Sequence, residues 1–246
     1  MENTHKSLES YTEKEKWNSL NIKGKIQYIF DYYKLPIIVI LIVLYIIGYS
    51  VHRYTSHKDI ILHTALINIA PSEELTLQLS DEFMKYADTD SSVYTFQLHT
   101  GWYLTDDPSS EYLEYTAATR MKILASIDNE QLDVVLMNQE AFDAFSQNGY
   151  LYNLEELLKN TAPELYQKLQ PYLVTNIEIL EDNAQDLYFD PSLEYTSTII
   201  KYPMGIDLRE APIIKEAGFE DTVYLGIIRN SPRMEKVIQY LQYLYK

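Results

Sequence analysis

The chain has 246 residues, of which 36 are acidic and 20 basic, for a formal net charge of −16. It contains no cysteine, which excludes disulfides, thiolate metal sites, cysteine nucleophiles and lipid attachment through sulfur. The acidity argues against a nucleic-acid partner, because neutralising phosphates needs Lys and Arg, and 7 glycines leave little material for phosphate loops.

The charge is unevenly spread. Residues 1–34 carry 6 Lys against 5 carboxylates, whereas residues 52–246 carry 14 basic and 31 acidic groups. Between them Leu35 to Val51 is 17 residues without a charge, built on the unbroken run Ile37–Leu44 with Ile46 and Ile47. Each such side chain favours insertion by about 0.3–0.6 kcal/mol near the centre of a span. Lys34 and Arg53 can snorkel at its ends, Tyr32, Tyr33, Tyr49 and Tyr54 flank it as an interfacial belt, and Pro36 suits a first helical turn. A buried core helix would show a polar face, which this run lacks. A cleaved signal peptide could end at Gly48-Tyr49-Ser50, but the 34 residues before the apolar run make a long leader. The reading is an uncleaved signal-anchor with its N-terminus in the cytoplasm, since Lys23, Lys25 and Lys34 precede it and Arg53 and Lys58 follow.

Four segments follow: a cytoplasmic arm (1–34), a transmembrane helix (35–53), a linker (54–59) and an extracellular α/β domain (60–246). In the arm, Ile22, Ile26, Ile29, Phe30 and Tyr33 share one helical face that would lie along the membrane interface, after a flexible polar stretch over 1–16.

Beyond the linker, Ile60 to Ile69 reads as a strand and Ser72 to Ala87 as a helix capped by Ser72. Val93 to His99 alternates with strand period. Ser110 to Ile127 reads as a helix that packs through Leu113, Ala117, Met121, Leu124 and Ile127, and Leu132 to Met137 as a strand buried on both faces. Asn138 caps a helix carrying Phe142 and Phe145 inward and stopping at Asn148-Gly149. Asn153 with Glu156, and Thr161 with Glu164, resemble capping boxes. Residues 174–206 are Tyr-rich and strand-prone, Val223 to Ile228 is an apolar strand, and Ser231 starts a last helix. The β-α-β-α-β order predicts an α/β domain with a largely parallel sheet.

The run Leu132-Asp133-Val134-Val135-Leu136-Met137-Asn138, with Phe142, Gly149, Tyr150-Leu151 and Asn153-Leu154 after it, resembles type 2 extracellular solute-binding proteins. The layout of arm, single span and outer domain is similar to small membrane-anchored proteins of low-GC Gram-positive bacteria. The resemblance implies a periplasmic-binding-protein-like domain, reduced because residues 60–246 are short for two lobes and a cleft. It implies a small ligand or peptide bound without chemistry. The alternative from another class is a fold that has lost its ligand and serves as an interaction or assembly module for a membrane-protein partner.

Ligands of open α/β sheets bind beyond the carboxyl ends of strands. Three places qualify there. Trp102 and Tyr103, beside Gly101, could stack on a ligand, or plug a loop onto the domain. Asn138 could hold a polar group, or cap its helix. Tyr202 and Asp207 sit at a possible return crossing, where Asp207 with Glu210 could equally cap a helix. No HExxH, GxSxG, Walker or CxxC pattern occurs, so no enzyme, cofactor or metal is expected. The 23 tyrosines are read as packing or as a contact surface.

Overall fold

The computed structural model describes residues 18, 21–55 and 58–246, with the side chains of 28–33 and 52–57 outside that description. The expectations for residues 1–16, for the face of Ile29, Phe30 and Tyr33, and for Tyr32, Arg53 and Tyr54 lie outside the described residues or side chains. The chain divides into two compact units, residues 1–57 and 58–246.

In the first unit Ile22–Thr55 is one helix, α1. It holds an 18-residue window, Lys34–Val51, of mean hydropathy 2.3, long and apolar enough to cross a membrane. At 1.5 Å per residue that window spans about 27 Å, close to the hydrocarbon thickness. Its apolar side chains are exposed, as lipid-facing ones must be. Pro36 falls inside the helix, not in a first turn, because the helix begins as far back as Ile22.

In the second unit β1 (Asp59–Ile67) opens a six-stranded sheet. A helical segment returns the chain, first as α2 (Glu73–Leu77), then a π turn (Gln78–Glu82), then α3 (Phe83–Tyr86). The Ser72 hydroxyl accepts from Leu75 N at 3.1 Å and caps it as expected. The π turn frees carbonyls from the helical ladder. Two of them are taken by hydroxyls of the last helix, with Tyr240 donating to Leu79 O at 3.1 Å and Tyr243 to Gln78 O at 2.7 Å.

Then come β2 (Tyr94–Trp102), α4 (Leu113–Asp128) and β3 (Val134–Met137). After α5 (Gln139–Gln147), α6 (Leu154–Thr161) and α7 (Pro163–Leu169), β4 (Leu173–Asp182) and β5 (Ser197–Asp207) form a long hairpin joined through α8 (Ala184–Phe189). Finally α9 (Pro212–Ala217) leads to β6 (Tyr224–Ile227) and α10 (Met234–Leu244).

The strand order is β2-β1-β3-β6-β5-β4. The fold class is α/β, and the parallel pairing expected of it holds for β2, β1 and β3. The other half departs from it, because β6, β5 and β4 pair antiparallel. The physical reason is connection length: a parallel return needs a full crossover, whereas β4 to β5 is a hairpin and β5 to β6 has only a short helix. Residues 173–207 therefore extend the one sheet and build no second lobe of their own.

Helices cover both faces. Leu62, Leu66, Leu79, Phe83, Leu158 and Tyr240 belong to the core on one side; Ala65, Ile67, Val135, Met137, Phe142 and Phe145 belong to the core under α4 and α5. Phe142 reaches so close to β5 that a Cβ on Gly205 would lie 2.6 Å from its ring. Gly149 ends α5 at φ +68°, a left-handed conformation that suits glycine.

Three local expectations are corrected. Thr161 is the last residue of α6 and donates to Leu157 O at 2.7 Å, so Thr161 and Glu164 form no capping box. Ser231 does not begin the last helix, which starts at Met234; its hydroxyl is committed to Asp133 at 2.6 Å. The face of α4 is rotated by about a quarter turn: Thr116, Thr119 and Ile123 are inside, Ile127 packs half-buried against the core as expected, and Leu113, Ala117, Met121 and Leu124 are exposed.

Candidate functional site

Strand register places the sequence-predicted residues. Ile67 pairs with both Trp102 and Met137, Met137 with Tyr224, and Tyr224 with Asp207. Trp102, Asn138 and Asp207 thus share one end of the sheet, with Trp102 and Asp207 about 19 Å apart across four strand spacings. Tyr202 is on the same strand as Asp207 but about 17 Å back along it.

At that end the crevice between β1 and β3, where the chain reverses its winding direction, is filled by the protein itself. Asn68, at φ 58°, donates from Nδ2 to Leu104 O at 2.7 Å and to Asn138 Oδ1 at 3.1 Å, while its Oδ1 accepts from Leu104 N at 2.8 Å. Asn138 also accepts from Ala141 N at 3.1 Å, which is the N-cap of α5. Glu140 receives the Thr105 hydroxyl at 2.8 Å and Asp106 N at 2.9 Å, so a carboxylate of the chain already serves this positive helix end. Trp102 is buried and stacks on His99 at 5.0 Å. Tyr103 stacks on Tyr112 at 4.0 Å. Asp207 accepts from Arg209 Nε on Oδ1 at 3.1 Å and from Arg209 Nη2 on Oδ2 at 2.6 Å, and Glu210 binds Lys215 at 2.7 Å, so Asp207 and Glu210 are no capping pair.

Tyr202 belongs to a different arrangement, the root of the β4–β5 hairpin. Its hydroxyl donates to Glu178 Oε2, and Arg229 reaches both Glu178 oxygens at 3.2 and 2.6 Å and the Tyr202 oxygen at 2.6 Å. The hydrogen bond from Arg229 holds the Glu178 carboxyl below its ordinary range, helped by Tyr202 and opposed by burial. Burial, with the hydrogen bond to Glu178, pushes the Tyr202 phenol up to about 12. Asn176 adds a tie to Asp143 of α5 at 2.8 Å. This clamp fixes the direction in which the hairpin leaves the sheet. Arg229→Ala should cost about 2–3 kcal/mol, because Glu178 is buried and loses a bidentate partner. Urea midpoints measure it, and a loss below about 0.5 kcal/mol would mean that the clamp is decorative.

Outward from the clamp, β5 pairs with β6 only over Gly205–Asp207, so its remaining length pairs with β4 alone. The tip is built, not loose. Asn183 accepts from Thr196 N at 2.8 Å and donates to Glu194 O at 2.9 Å, and Asp190 accepts from both the amide and the hydroxyl of Ser192 at 3.1 and 2.6 Å. On this ordered tip Tyr188 and Phe189 are each 84 % exposed, ring to ring at 5.5 Å, with Leu180, Leu193, Tyr195, Ile199 and Ile200 also exposed. Residues 180–200 carry five carboxylates and no Lys or Arg. The patch is apolar, ordered by hydrogen bonds at its turn and rimmed by carboxylates. The sequence reading missed Tyr188 and Phe189. The available signal was that aromatic-rich run with charge of one sign.

No known protein family and no curated protein matches the chain. Among solved structures it is similar to a de novo designed cysteine esterase, at 16% identity over 66% of this chain, with a TM-score of 0.28. The matched part spans 38% of that protein, and at so low a score the likeness says nothing about fold or activity.

Proposed function

We propose that the chain is a single-pass membrane protein, anchored by α1 with the second unit outside the cell, and that this unit works by protein contact without chemistry. The observation that carries the reading is the β4–β5 hairpin: clamped at its root, ordered at its tip, and bare in its aromatic side chains. Two features favour contact over capture of a solute. Residues 173–207 extend one sheet and build no second lobe. The switch-point crevice is closed by Asn68, Leu104 and Asn138. The reading keeps the membrane tether of the expected solute-binding relative and replaces its ligand with a membrane-associated protein partner. The complementary surface is an apolar pocket ringed by Lys or Arg, since the tip offers aromatic rings among carboxylates.

The test is in-cell photocrosslinking from a reactive phenylalanine analogue at Phe189. One discrete partner is expected, lost on reversing Asp186 and Glu194 to Lys, with an unchanged melting temperature. In parallel, a thermal-shift screen of the full chain with sugars, amino acids and short peptides should be flat. A ligand at one hundred times its Kd would add about 2.7 kcal/mol, so a shift of several degrees without a crosslink would return the function to solute binding.

A further inference from the structure

The two edges of the sheet differ. Edge strand β4 carries Glu178, Glu181 and Asp182, charges of the kind that keep an open edge from pairing. The opposite edge, β2, is nine residues without a charge or a proline, Tyr94–Trp102. Its register against β1 fixes which way its backbone points. Val93 O accepts from Asp59 N at 3.0 Å and Trp102 O from Asn68 N at 2.9 Å, and the two strands pair in parallel, with no residue of β2 skipped from Tyr94 to His99. Alternate residues of such a strand turn both N–H and C=O to the same side. Thr95, Gln97 and His99 therefore bond to β1, and Phe96 and Leu98 turn their amides and carbonyls to the open side. Among the described residues no hydrogen bond reaches those four groups, whereas Tyr94 N is taken by Asp90 O at 2.9 Å. At the carboxyl end of this edge lies a hollow of about 560 Å³, lined by Ile69, Pro71 and Leu77 together with Leu98 and Thr100 of β2.

We infer that β2 is a docking edge for an extended segment of another protein, apolar where it meets β2 and basic at its ends. Free amides and carbonyls that alternate along an uncharged strand are the template for one more strand, and main-chain hydrogen bonds then supply affinity while side-chain pockets supply choice. A residue of the added strand opposite Leu98 or Thr100 shares their face of the sheet and so lies over the hollow. The lining of Ile69, Pro71, Leu77 and Leu98 suits an aliphatic side chain there.

The charge of the partner follows from the flanks. Tyr86 to Thr119 hold six carboxylates and no Lys or Arg. Among the described residues Asp106 alone of the six is in an ion pair, with Arg120. A second copy of the chain would bring these carboxylates against their own kind, so the strand that fits belongs to a different, basic chain. The inference is independent of the β4–β5 hairpin, which lies at the other end of the strand order.

The probe is a ten-residue peptide of alternating Val and Thr around one Leu, with two Lys at each end, added to the full chain in detergent micelles. Hydrogen exchange read residue by residue should show the amides of Thr95, Gln97 and His99 protected throughout. Those of Phe96 and Leu98 should exchange freely in the unbound chain and about tenfold more slowly, or slower still, at saturating peptide. Methylating the six central amides of the peptide removes its strand-pairing donors and should weaken binding about tenfold or more. Glu in place of the terminal Lys should weaken it as much through like charge. Phe189→Ala on the hairpin should leave the affinity unchanged. Protection of Phe96 and Leu98 in the unbound chain would mean that the edge is already covered, and would overturn the inference. So would a failure of the Lys-flanked peptide to bind, binding that leaves those two amides exchanging freely, or binding indifferent to methylation.

Discussion

Asp133→Ala should destabilise the second unit by about 3–5 kcal/mol, the cost of removing one partner from a buried charge pair. Asp133 is fully buried just ahead of β3. Its Oδ2 accepts from His63 N of β1 at 2.7 Å and from Arg233 Nε at 2.8 Å, and its Oδ1 accepts from Ser231 Oγ at 2.6 Å. One carboxylate thus joins two central parallel strands to the turn that launches α10, and Arg233 carries the link on to Glu130 O. Alanine leaves the His63 amide and a largely buried guanidinium without their acceptor. Because most of the penalty is the orphaned charge, Asp133→Ala with Arg233→Met should recover part of it. Urea unfolding of the two variants measures the difference. A loss below about 1 kcal/mol in the single variant would show that water replaces the carboxylate.

The same residue shows what a sequence discloses. Asp133 stands out in the Asp-Val-Val run, but as a family motif; its partners lie 70, 98 and 100 residues away, and nothing local to the run announces them. The central elements were legible because their burial matches their periodicity: β3 is apolar on both faces, and Ser72 and Asn138 cap the helices expected of them. Helix α4 was legible in position but not in facing. A periodic apolar stripe is read as inward by default, but Thr119 and Thr116 accept from Tyr103 N and Thr105 N, amides 16 and 11 residues back that nothing local to the helix announces. The hairpin was legible as strand-prone sequence, but not as a hairpin, because its strands are joined by α8 and a long turn and not by a two-residue Asn-Gly or Asp-Gly turn. Tyr202 was singled out, yet Glu178 and Arg229, 24 and 27 residues away, are what give it a role. Asn138, Trp102 and Asp207 were marked as ligand groups or as caps and plugs; Asn138 caps its helix, Trp102 is buried against His99, and Asp207 pairs with the exposed Arg209.

His63 makes acid the second strong test of this core. Its side chain is 6 % exposed, its Nδ1 has no hydrogen-bond partner among the described residues, and its ring lies parallel to that of His99 at 6.1 Å. Burial pulls its pKa from 6.5 down to about 4; the Arg233 charge and His99 act the same way, and Asp133 acts against them. Burial lowers His99 as well. The folded unit therefore holds His63 neutral where the unfolded chain protonates it. A depressed folded pKa means that the stabilisation is complete above the unfolded value, near 6.5, and is lost progressively as pH falls toward 4. The full loss is roughly 3 kcal/mol, of which more than half should be gone by about pH 5. His63→Gln keeps a polar side chain of similar size and removes the titration, so the two proteins should differ in pH slope between about 6.5 and 4 and run parallel above pH 7. Urea midpoints across that range give both slopes, and the carboxylates, which titrate in both proteins, cancel in the comparison. Identical slopes would mean that His63 takes up its proton inside the fold.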